Sequence, residues 1–161
     1  MKLTSLLILL IPISMLGSAQ KNITLAGETY LVNGEVIFQE GVDTTMMGQY
    51  AIKFGLDYYM ELKDTLLTYS IVGYDSTGYI SYYKYTVGVN ALEMKNEIYA
   101  HQIPSWGIRI NTKDMVYTVN RFHITIYGYK SERFQNFIEL TVKDKQRAED
   151  IANQILQFQK K

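Results

Sequence analysis

Apolar side chains recur at every second position through most of this chain. That spacing confines most of it to strands with one face turned toward a core. In residues 65–72, Leu67, Tyr69 and Ile71 alternate with Thr68 and Ser70. In 79–87, Tyr79, Ser81, Tyr83, Tyr85 and Val87 share one face, and Ile80, Tyr82, Lys84 and Thr86 the other. The stretch between them contains Gly73, Asp75, Ser76 and Gly78, a turn composition, so the two runs predict an antiparallel hairpin. A second hairpin is predicted at Asn33-Gly34, between the β-prone runs 28–32 and 35–39. Both central residues of a type I′ turn need φ > 0, which Asn and Gly tolerate.

The alternation returns at Met115, Tyr117 and Val119, at Phe122, Ile124 and Ile126, and at Ile138, Leu140 and Val142. Between the last two runs, 128–133 is polar and reads as a turn. Two segments fit either helix or strand. In 43–54, Asp43 can cap a helix with Met47, Tyr50, Ala51 and Phe54 on one face, although Gly48 weakens it. In 90–101, Asn90 with Glu93 forms a capping box, while Leu92, Met94, Ile98 and Ala100 alternate as in a strand. Near the C-terminus the period changes. Ala148, Ile151, Ala152, Ile155 and Phe158 recur at three and four, and Asp144 precedes them as an N-cap. This predicts a helix over 144–159. The expected fold is mainly β, an antiparallel curled sheet or small barrel closed by a C-terminal amphipathic helix.

Residues 1–19 bear a different stamp. Lys2 leads a run that is almost wholly apolar from Leu3 to Leu16, and Gly17 and Ala19 supply a small-x-small cleavage site. This is the pattern of a secretory signal, with cleavage after Ala19 and a periplasmic or extracellular mature chain, 20–161, of one domain. The apolar run is shorter than the ~20 residues a spanning helix needs, and no later segment is apolar enough to cross a membrane. Composition removes several function classes. With 16 basic and 16 acidic residues, nothing drives non-specific nucleic-acid binding. With no cysteine, disulfides, thiolate metal sites and cysteine nucleophiles are excluded.

Ser105, Trp106, Gly107, Ile108 and Arg109, the strands near 115–119 and 122–127, the run 137–144 and the helix 146–157 together resemble the pleckstrin-homology-like domains of bacteria. The resemblance covers 105–158. It implies a fold, not an activity.

No residue stands out as catalytic. His101 and His123 are the only histidines, and no nucleophile-elbow motif accompanies them. Nor do they have metal-ligand spacing, so no metal or cofactor is expected. Asp144, Glu149 and Asp150 are accounted for by a helix start. Asn22 with Thr24 forms a glycosylation sequon. The 14 tyrosines are the compositional oddity. Tyr59, Tyr82, Tyr127 and Tyr129, with Trp106, are the rings expected on the outer surface as a platform for a glycan, a protein or a small apolar partner, and His123 is grouped with them. The competing role for such rings is cross-strand pairing that only stabilises the sheet. The first expected function is an exported, non-enzymatic binding or interaction module. The alternatives are a carrier holding an apolar ligand in a barrel mouth, and a hydrolase using His123 or carboxylates.

Overall fold

The computed structural model describes residues 18–47, 50–100 and 105–160, with residues 18, 40–47 and 50 described as backbone only. Nearly all of the expected export segment lies outside this range, as do Gly48 and His101. Among the described residues, ten strands and one helix follow in order: β1 (Ser18–Leu25), β2 (Glu28–Met47), β3 (Tyr50–Lys63), β4 (Leu66–Asp75), β5 (Ile80–Gly88), β6 (Leu92–Ala100), β7 (Trp106–Thr112), β8 (Val119–Thr125), β9 (Lys130–Gln135), β10 (Phe137–Val142) and α1 (Lys145–Gln159). Seven strands make a strongly curled antiparallel sheet, ordered β1-β2-β3-β4-β5-β8-β9, and three make a smaller one, β10-β7-β6. The mainly β fold with one C-terminal helix is therefore as the periodicity requires.

The helix matches its sequence signals. The Asp144 carboxylate accepts the Arg147 amide at 2.8 Å and caps the first turn. Ala148, Ile151, Ala152 and Ile155 are buried. They join a core shared by the two sheets, with Tyr69, Leu67 and Val87 from the large sheet and Ile108, Ile138 and Leu140 from the small one. The fully buried Tyr69 hydroxyl accepts the Thr141 amide at 2.9 Å and ties the sheets together. At the far end, Gln159 donates to the carbonyls of Val89 and Leu92 at 2.7 and 3.0 Å. Many of the tyrosines are spent on cross-strand packing. A ladder of rings runs from Phe38 to Tyr58, Tyr69 and Tyr85 across β2 to β5, with centroids 5.4–6.2 Å apart.

Where they are described, both doubtful segments are mainly strand. Residues 43–47 and 50–54 form the ends of β2 and β3, which pair from Asp43–Phe54 to Met47–Tyr50. Residues 92–100 form β6, entered through a short 3-10 turn at Val89–Ala91. Three other expectations are corrected. The Asn33-Gly34 hairpin does not form. β2 runs straight through it, and the hairpin closes earlier, at Ala26 and Gly27, where φ is +50° and +83°. Gly34 instead serves a close approach. Its φ is +135°, and a Cβ there would stand 2.7 Å from the Met60 carbonyl carbon. Met115–Thr118 is not a strand. A short 3-10 turn at Lys113–Met115 leaves Met115, Val116 and Tyr117 exposed, and β8 starts at Val119. Finally, 130–133 is no turn but the first four residues of β9, an edge strand. Its charges suit a sheet edge, where they discourage pairing with another chain.

The curl brings the first hairpin back over the sheet. Ile23, Leu25 and Val32 meet Tyr59, Val72, Tyr82 and Ile124 in a second core on the opposite face. The hairpin end lies against the β8–β9 turn, where Lys130 reaches the Glu28 carboxylate at 3.2 Å. Lys21 on β1 crosses to the buried Asp57 on β3 at 3.1 Å, and Asp57 also accepts from Gln39 and Tyr74 at 3.2 Å.

Candidate functional site

The curl stops short of closing beside the second core, and the gap is a groove of about 510 Å³. The size suits a small ligand. Antiparallel register explains its lining. Lys84, Phe122 and Glu132 form one cross-strand row over β5, β8 and β9, and Thr86 and Asn120 belong to the next. Thr29, Tyr30 and Leu31 of β2 face them from the other wall.

Three rings make the floor. Tyr30 lies 5.8 Å from Tyr82 and 5.7 Å from Phe122, and Tyr82 lies 6.4 Å from Phe122. Tyr82 is buried, so only half-buried Tyr30 and Phe122 offer ring surface. Lys130 stands over Phe122, 5.6 Å from its centroid. The Tyr30 hydroxyl donates to Glu28, and that bond, followed by Lys130, holds Glu28 below the usual carboxylate range. Burial, then Glu28, pushes the Tyr30 phenol up. The rim is polar. The Asn120 amide donates to Glu132 at 2.5 Å, and Lys84 and Thr86 stand near them. The arrangement offers two ring faces below and donors and acceptors around the edge.

The sequence-expected platform is divided among three places. Tyr59 and Tyr82 are 4% and 2% exposed in the second core, which corrects their expected place on the outer surface. Their neighbours in the adjacent pairs, Tyr58 and Tyr83, point to the other face, and the curl covers this one as well. Trp106 is half-buried on β7 against the first core. His123, Tyr127 and Tyr129 sit at the β8–β9 end, on neither groove wall. Tyr127 and Tyr129 are exposed. Tyr129 lies 5.4 Å from His123, and Tyr127 lies 5.9 Å from Tyr79. The groove residues Tyr30, Lys84, Asn120, Phe122 and Glu132 were not singled out in the sequence. The only trace is the mixed apolar and polar face of 79–87.

His123 is not arranged as a base. Its ring stacks on Tyr83 at 3.9 Å with planes 5° apart, and its buried Nε2 has no partner among the described residues. Burial, then the Arg121 charge, lowers its pKa from 6.5. The unfolded chain therefore takes up this proton more readily. The stabilising contribution is complete above about pH 6.5 and falls away as pH drops through the lower folded-state value. His123→Gln is expected to flatten the acid limb of a Tm-against-pH curve below 6.5; an unchanged limb would assign it to other groups. Among the described residues, no three His, Asp or Glu side chains group to hold a metal ion. No helix there is long and apolar enough to cross a membrane. No family model, curated protein or solved structure matches the chain.

Proposed function

We propose that this chain is a non-enzymatic binding module that holds a sugar-like ring in the open groove and acts after export. The observation that supports it is the groove itself, two half-buried ring faces beneath a rim of amide, hydroxyl, ammonium and carboxylate groups. The apolar face of a pyranose fits on Tyr30 and Phe122, and its hydroxyls meet Lys84, Asn120 and Glu132. A carrier would need an enclosed apolar cavity, and the second core fills that part of the curl with side chains. Nothing in the surroundings of His123 or Asp57 favours a hydrolase.

The test is binding of the purified chain to a panel of soluble oligosaccharides, followed by calorimetry on any hit. Phe122→Ala is expected to weaken a hit about tenfold, the scale of one lost ring contact. Thr86→Ala, a small change at a half-buried rim position, is expected to weaken it several-fold. No saturable hit, or hits indifferent to both variants, would reject the reading. For export, the chain recovered outside the cytoplasm is expected to begin at Gln20.

A further inference from the structure

A second site is carried by the other face of the large sheet, at the β8–β9 end. Residues paired across an antiparallel ladder share a face. One such row runs over six strands as Glu35, Met60, Tyr69, Tyr85, Arg121 and Arg133. Its single carboxylate, Glu35, is at the far end and is engaged by Arg147. The neighbouring row, Phe38, Tyr58, Ile71, Tyr83, His123 and Ser131, has no carboxylate at all. Arg121 and Arg133 therefore stand directly opposite each other, and neither has a carboxylate partner among the described residues.

Like charges directly opposite in a sheet destabilise it. Sequences usually avoid the arrangement or place an acid beside it. Here the surroundings hold one arginine in place. Arg121 lies over the Tyr83 ring, 4.9 Å from its centroid, and its Nε donates to the Tyr85 hydroxyl at 3.3 Å. Arg133 is exposed. Next to the pair, Tyr83 and His123 stack, and Tyr129, 60% exposed, leans on His123.

We infer that Arg121 and Arg133 form a binding site for a phosphate monoester carried on a small ring, whose dianion lies between the two guanidiniums and whose ring rests on Tyr129. Two guanidinium forks match the charge and the planar donor geometry that such an oxyanion demands. The ligand relieves the repulsion, so the apo protein bears a strain that the complex loses. This site is independent of the groove, because its rows lie on the opposite face.

The test uses the purified chain with three probes: phenyl phosphate, inorganic phosphate, and vesicles of phosphatidylglycerol in phosphatidylcholine. Phenyl phosphate is expected to bind saturably, at least tenfold more tightly than inorganic phosphate. Arg133→Gln is expected to weaken it at least tenfold while leaving the apo Tm equal or higher. Tyr129→Ala is expected to bring phenyl phosphate toward the affinity of inorganic phosphate, and Phe122→Ala, which alters the groove on the opposite face, is expected to leave phenyl phosphate affinity unaltered while it weakens any groove ligand. Three results would each overturn the site: no saturable phenyl phosphate binding, affinity unaltered by Arg133→Gln, or a lower apo Tm in that variant, which would make the arginine structural. Binding to the vesicles without binding to phenyl phosphate would also overturn it, in favour of a bilayer surface.

Discussion

Gly34→Ala is expected to be the most damaging single-methyl change in the protein. Two costs coincide there. The backbone holds φ at +135°, a region that L side chains rarely adopt, and the added Cβ would press on the Met60 backbone, which cannot swing aside as a flexible side chain would. Strain of the first kind costs roughly 1–3 kcal/mol, and the overlap adds to it, so about 3 kcal/mol or more is expected. For a domain of this size that lowers the Tm by about 10 °C. Gly27→Ala is the control. Gly27 also has positive φ, +83°, but nothing lies within 4 Å of its missing Cβ. It should cost only the conformational part, roughly 1 kcal/mol. Thermal melts of the two variants decide the matter. If they melt together, the close approach to Met60 does not constrain the fold.

The second large effect concerns Lys21 and Asp57. The pair is asymmetric, since the lysine side chain is 42% exposed and the aspartate 6%. Removing the lysine leaves a buried carboxylate with two neutral donors, Gln39 and Tyr74. Removing the aspartate charge leaves a lysine that water can reach. Lys21→Met is therefore expected to cost about 2–3 kcal/mol, and Asp57→Asn, which can keep the neutral hydrogen bonds, nearer 1 kcal/mol. Urea denaturation of both variants measures the difference. A reversed order would mean that Lys21 contributes little beyond its methylene stem.

These two positions also show what was legible in the sequence. The helix was readable to its ends because cap and stripe are local signals, set by residues three and four apart. The β4–β5 hairpin was readable for the same reason, with a turn-forming composition between two alternating runs. Asn33-Gly34 misled because glycine has two uses. The same freedom that serves a turn serves a close approach, and only the distant Met60 decides between them. The true turn, Ala26 and Gly27, has one strong turn former instead of two. Met115, Val116 and Tyr117 alternate like a strand yet form an exposed loop, and β9 is charged like a loop yet pairs at an edge. In both, position in the sheet outweighs composition. The groove was hidden for a related reason. Tyr30 meets Phe122, over ninety positions away, and no local pattern announces such a contact.

The meeting of the first hairpin with the β8–β9 turn has a consequence for the order of assembly. Glu28 and Lys130 are separated by 102 positions. The chain is made from its N-terminus onward, so β1 and β2 must wait for most of the protein to be synthesised before their apolar face is covered. Bringing such distant ends together is entropically slow, whereas each neighbouring hairpin closes locally. The seam thus forms late, and its fastening is an exposed ion pair worth little by itself. In amide exchange on the native protein, the backbone of β1 and of the β2 segment 28–35 that pairs with it should lose protection well before that of β4 and β5, so the wall that carries Tyr30 is also the part of the molecule that opens first.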